Sequence, residues 1–278
     1  MRHPGLTLRM AVVGSVLFGF YALLALFAYA TFGAGVLPIV AVGSVLFVGV
    51  QYVVGKKTAL WSVGAEDLPA DRYPEVHDAV ADIADEMGIE KPRLMIADMG
   101  VPNAFAVGRR GAGVVVVSSE LLSTLDRAEL RGVLAHELAH VRNRDVVLMV
   151  LGQSIASLVG LAVQFAVILT GDDGLADLLV GYLAGAVAQV LVMVFVLAIS
   201  RYREYAADAD AADVLGDGDP LASALEAISD RNQRRDVDVD TGVNALCIFG
   251  ADRGLLERVF ATHPPVEKRI ERLRAARY

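Results

Sequence analysis

Three stretches of the chain carry no charge: residues 10–55, 146–171 and 178–200. An apolar helix of about twenty residues is long enough to cross a bilayer. The first stretch has room for two crossings, and Gly33, Gly35 and Pro38 break it near its middle. The pattern predicts membrane helices at 10–31, 36–54, 146–170 and 178–200. A cleaved signal peptide is the rival reading of the first, and it fits poorly because a second apolar stretch follows at once.

Basic residues flank these helices on one side. Arg2 and Arg9 precede the first, Lys56 and Lys57 follow the second, Arg142 and Arg144 precede the third, and Arg201 and Arg203 follow the fourth. The turn at 171–177 holds Asp172, Asp173 and Asp177 and no cation. The positive-inside rule then puts both termini and the two polar blocks in the cytoplasm, at the cell membrane. The expected organisation is a transmembrane hairpin (1–55), a first part of one polar domain (56–145), a second hairpin (146–200) and a second part of that domain (201–278).

The polar blocks read as mixed α and β. Val76, Val80, Ile83 and Met87 recur at helical spacing, which predicts a helix over 73–87 stopped by Gly88. Segments 93–97, 103–107 and 113–118 read as strands, the last two joined through Arg109, Arg110 and Gly111. A helix starts at Asp126, with Glu129 completing a capping box. It places Leu130, Val133, Leu134, Leu138 and Val141 along one flank, and no strong breaker lies between 128 and 151, so it is expected to run straight into the third crossing. The fourth crossing continues to Gly216. Asp219 and Pro220 open another helix, 232–241 is a polar loop, and a charged, solvated helix closes the chain over 266–277.

The run HELAH, 136–140, carries the chemistry. Positions i and i+4 share a helix face, so His136 and His140 can grip one metal ion, with Glu137 beside them to take a proton from a water. A catalytic zinc site has three protein ligands and one open position. Five histidines in all make a carboxylate the better third ligand. Glu204, just past the fourth crossing, is the choice, and Asp208, one turn on, can accept the free ring N–H of a ligand histidine.

Composition narrows the alternatives. Net charge is −8, which speaks against a nucleic-acid partner. Hydrophobic residues make up 55% and mean hydropathy is +0.51, high for a soluble globule. The lone Cys247 cannot form an internal disulfide and reads as core filler. The crossings carry no charge, against a transporter. Abundant Asp suits a hydrated acidic surface in a halophilic, archaeal cell, with a GC-rich genome as the plainer cause.

HELAH with Asn143 and Asp145, then SRYREYAADADAA, then THPP with Arg269 and Ile270, resembles the HtpX-type membrane metalloproteases, relatives of the CAAX prenyl proteases within the gluzincins. The resemblance implies a mostly α integral membrane protein, four transmembrane helices with a cytoplasmic gluzincin-like α+β domain. It implies an endopeptidase with one Zn2+ per chain held by His136, His140 and Glu204, with Glu137 as general base and Asp208 behind a ligand. Asn103, Ala104, Phe105 and Ala106 match the edge strand that pairs with an extended protein or peptide substrate. His263 matches a histidine that donates to the tetrahedral oxyanion, or else caps the last helix; Arg269 either binds substrate or pairs with an acidic neighbour. Damaged or misfolded membrane proteins are the implied substrates and quality control the implied role. Prenyl-peptide processing is the alternative enzyme reading, weakened by the lack of extra crossings, and an inactive zinc-bearing scaffold in the bilayer is the non-enzyme one.

Overall fold

The structure is a computed structural model describing residues 4–171, 174–235 and 264–275. Cys247 and His263 lie outside the described residues. The elements in chain order are α1 (Pro4–Phe32), α2 (Val36–Ser62), β1 (Glu66–Asp67), α3 (Pro74–Met87), β2 (Arg93–Ala97), β3 (Ala104–Val107), β4 (Val114–Ser118), α4 (Ser119–Thr124), α5 (Arg127–Asn143), α6 (Asp145–Thr170), α7 (Leu175–Leu215), α8 (Asp219–Arg235) and α9 (Val266–Ala275). The chain divides into two compact units, Met1–Val54 with Leu148–Ser200, and Gly55–Val147 with Arg201–Tyr278.

The first unit is helical. Four helices are long and apolar enough to cross a membrane: Gly14–Phe32, Val36–Ser62, Asp145–Thr170 and Leu175–Leu215. Without a hydrophobic drive between helices in lipid, close backbone approach and hydrogen bonds hold them together. A Cβ on Gly185 would lie 2.6 Å from the Gly160 carbonyl oxygen, so α6 and α7 touch backbone to backbone there. Ser154 Oγ on α6 lies 2.7 Å from Gln51 Oε1 on α2, joining a second pair.

The second unit is built on a four-stranded sheet of order β1-β2-β4-β3. β2 runs parallel to β4; β1 with β2 and β3 with β4 are antiparallel. The central strand β4 reads VVVVS and is buried throughout, as a strand covered on both faces should be. On one face Val115 and Val117 meet Ile83 of α3, Leu134 and Leu138 of α5 and Leu225 of α8. On the other, Phe105 and Val116 meet Ala59, Leu60 and Val63. That second contact explains why α2 runs eight residues beyond the predicted 54. Lys56 and Lys57 end the apolar run, and nothing in them ends a helix. Gly132 on α5 is where α8 starts against it, since a Cβ there would fall 2.7 Å from the Leu221 nitrogen.

Four expectations are corrected. α5 does not run straight into α6: Arg144 adopts φ 59°, the only positive φ at a non-glycine among the described residues, and its N–H closes onto the His140 and Val141 carbonyls. α8 continues to Arg235 through part of the expected loop. It is Asp217, not Asp219, whose carboxylate accepts a backbone N–H at its start, that of Asp219, at 2.9 Å. The final helix is not wholly solvated, because Arg269 and Leu273 are buried. The capping box at Asp126, the αL stop at Gly88 and the end of α7 before Gly216, with φ 72°, are as the sequence predicts.

Candidate metal centre

α5 places its two histidines one turn apart, and α7 crosses with Glu204 facing them. His136 Nε2 lies 3.1 Å from His140 Nε2 and 3.6 Å from Glu204 Oε2, and His140 Nε2 lies 3.5 Å from Glu204 Oε1. Tetrahedral ligands on bonds of about 2.0–2.1 Å sit about 3.3–3.4 Å apart. The three side chains are therefore spaced for one small cation. Among the described residues this is the group of histidines and carboxylates that could hold a metal ion.

Each histidine turns its other ring nitrogen to a carboxylate, and each carboxylate has its own buried arginine. His136 Nδ1 lies 3.0 Å from Asp208 Oδ1, and Asp208 takes a two-pronged contact from Arg269, Nε to Oδ2 at 2.9 Å and Nη2 to Oδ1 at 2.7 Å. His140 Nδ1 lies 2.6 Å from Asp145 Oδ2, whose other oxygen lies 2.9 Å from Arg203 Nε. A carboxylate accepting Nδ1–H fixes the tautomer that leaves Nε2 free for a cation. The first chain uses residues expected at the site. The second, Asp145 and Arg203, is not predicted as a pair, although Asp145 stands within the motif.

The bend at Arg144 makes the second chain. On an unbroken helix, residue 145 would point about 140° away from residue 140. The αL residue starts α6 afresh and brings Asp145 back onto His140. Asn143 Nδ2, donating to Asp210 Oδ2 at 2.8 Å, ties the end of α5 to α7.

Charge supports the same reading. Glu137, Asp145, Glu204 and Asp208 are buried, as are Arg203 and Arg269, and they are all the buried carboxylates and guanidiniums among the described residues. Four negatives against two positives leave a deficit of two, with the histidines neutral. A buried charge is costly unless compensated, and the two charges of one divalent cation would balance the cluster. Burial and the Arg269 charge push the His136 pKa down, but the Asp208 and Glu204 carboxylates, as acceptors for its ring N–H groups, win and raise it to about 9. Burial likewise lowers Arg269, and the Asp208 carboxylate, with Glu204 and Glu137, more than reverses that.

Arg269 is completely buried, and its Nη1 lies 3.4 Å from Glu204 Oε2. Of its two sequence-based alternatives, the structure places it in the acidic pairing. Ala104, Phe105 and Ala106 lie on β3, an edge strand by sheet order, with Asn103 just before it. The Asn103 N–H donates to Ser118 Oγ at 2.9 Å, which pins the strand's entry. α5 packs against β3, so the edge and the histidines belong to neighbouring elements.

Asp145→Asn keeps shape but weakens the acceptor behind His140. Metal affinity should fall by about tenfold or more, in the range seen when such partners are lost. Competition against a chromophoric chelator measures this, and unchanged affinity in a folded variant would show that Asp145 orients nothing.

The fold and site define a class, a membrane-embedded metal-dependent peptidase. Comparison with known proteins agrees. The model of peptidase family M48 matches residues 70–277. A protease HtpX homolog of Halobacterium salinarum is 51% identical, over 96% of this chain and 100% of its own length. A protease HtpX homolog 2 of Methanosarcina acetivorans is 37% identical, over 82% and 81%. The chain belongs to peptidase family M48, among its HtpX-type members, and is a metalloprotease. The crystal structure of S. mikatae Ste24p superposes with a TM-score of 0.60 at 20% identity, covering 96% of this chain and 63% of that one, and shows the shared fold.

Proposed function

We propose that this protein is a zinc endopeptidase with one Zn2+ per chain, acting at the cytoplasmic face of the cell membrane on damaged or misfolded membrane proteins, in quality control. The observation that carries the chemistry is the three-atom group His136, His140 and Glu204 in a buried cluster two charges short. Two imidazole nitrogens with one carboxylate suit zinc better than magnesium or calcium, which take mostly oxygen ligands.

A bound zinc ion would lower the pKa of a water to about 7 and polarise a carbonyl oxygen. Glu137, buried beside His136, takes the proton of the attacking water on its carboxylate and passes it to the leaving amine. Asp208 and Asp145 hold the two imidazoles in the ligating tautomer. Residues 103–106 of the edge strand bind substrate backbone as an added strand, which places little demand on side chains. That indifference to sequence suits a protease of misfolded chains. By the family resemblance His263 would donate a hydrogen bond to the oxyanion, with a cap on the last helix as its other role. The basic flanks support the cytoplasmic face, and the Asp-rich composition together with the Halobacterium relative supports a halophilic archaeal source.

Protein purified in detergent should cleave unfolded casein, lose cleavage and about one zinc per chain on chelation, and regain both on adding zinc. Cleavage that survives complete metal removal would overturn the reading. Prenylated peptides run in parallel separate it from prenyl-peptide processing.

A further inference from the structure

The turn between β3 and β4 gathers cations from three parts of the sequence. Lys56 and Lys57 stand on α2 directly after its apolar run, and Arg142 and Arg144 stand just before the apolar run of α6. Arg109 and Arg110 occupy the turn itself. Lys56 Nζ donates to the Ala112 carbonyl at 2.8 Å, and Arg110 Nε donates to the Arg142 carbonyl at 2.9 Å. The turn is thus tied to both chain segments at the points where they become apolar.

These charges are mostly uncompensated. Arg142 has Asp210 at 3.9 Å, and the Glu90 carboxylate lies against Gly111. Among the described residues no carboxylate comes within 4 Å of Lys56, Lys57, Arg109, Arg110 or Arg144. Lys57, Arg109, Arg110 and Arg144 are exposed. In a chain of net charge −8, such a concentration of one sign stands apart.

α2 adds an independent observation. Leu46, Val50, Val54, Lys57 and Trp61 share one face of the helix, within an arc of about 80°. Leu46, Val50, Val54 and Trp61 are all exposed, Trp61 by 86%. An apolar stripe that ends on a lysine and then a tryptophan is the pattern of a helix leaving hydrocarbon through the headgroup layer.

We propose that Lys56, Lys57, Arg109, Arg110, Arg142 and Arg144 form a docking surface for anionic phospholipid headgroups, which clamps the β3–β4 turn to the bilayer surface. The covalent neighbourhood of the apolar runs selects lipid over a free acidic peptide as occupant. Clustered cations beside a membrane helix attract anionic lipid within a Debye length. The proposal is independent of the proteolytic reading, since it concerns lipid binding in the resting protein.

Trp61 is the only tryptophan, so it reports locally. The full chain is placed in unilamellar vesicles of zwitterionic lipid that contain a minor fraction of brominated lipid, either anionic or zwitterionic. Brominated anionic lipid should quench Trp61 about threefold more efficiently, and molar salt, with a Debye length of about 3 Å, should abolish the difference. The double variant R109Q/R110Q, altered only in an exposed turn, should lose most of the preference. Equal quenching by the two lipids, or a preference that resists salt, would overturn the proposal. A preference unchanged in R109Q/R110Q would overturn the role of the turn and leave only ordinary helix flanks. The salt arm uses the unaltered protein, so the test does not depend on the variant folding.

Discussion

Glu137→Gln should retain its metal and lose peptide cleavage by about a hundredfold or more. A positioned acid–base group is worth about 10²–10⁴ in rate. The glutamine side chain has the same size and sits between the same neighbours, yet it can neither take nor return a proton. His136, His140 and Glu204 are untouched, so metal content measured by mass spectrometry should match that of the parent. The buried cluster loses one negative charge, so its deficit falls from two to one, and metal affinity should drop without abolishing loading at micromolar zinc. Casein cleavage in detergent, at saturating zinc, is the readout. A fully active variant with full metal would remove Glu137 from the role proposed for it.

Arg269→Met should destabilise the protein more than any exposed substitution. The guanidinium is fully buried and meets Asp208 twice and Glu204 once. Removing one member of a buried ion pair costs about 3–5 kcal/mol, because the partner charge stays behind without compensation. For a chain of this size that is a fall in apparent melting temperature on the order of 10 °C. The double variant R269M/D208L removes the stranded charge and should recover most of that loss. It should not recover metal affinity, because His136 has lost the acceptor on Nδ1. A single variant that melts with the parent would mean that the cluster tolerates a third net negative charge, and the charge argument for the site would fail.

The helices and the three residues that the structure brings together, His136, His140 and Glu204, are legible in the sequence because each depends on local pattern. An uncharged run announces a crossing, HELAH sets two histidines on one face by helical period, and Glu204 follows from its place just beyond the fourth crossing. What stays hidden depends on one residue adopting an unfavourable backbone conformation for tertiary reasons. Nothing in Arg144 as a residue type predicts φ 59°. Without that bend Asp145 points away from His140, so the pairing with Arg203 cannot be drawn from spacing. Arg269 is ambiguous because the surrounding sequence, VEKRIERLRA, reads as a solvated helix, and only packing decides which arginine goes inside. α2 outlasts its apolar run for a related cause: its last turns are helical because they cover the sheet, with Ala59, Leu60 and Val63 against Val116 and Phe105.

With a two-charge deficit beside the histidines, a cation's valence would matter there as well as its bonds. A singly charged ion of the same radius would satisfy the coordinating atoms yet leave one negative charge among the buried acids unbalanced; a triply charged one would overshoot. Selectivity between metals of equal size would then be written into acids and arginines that never touch the ion, and charge-altering substitutions among them would retune which metals the protein retains.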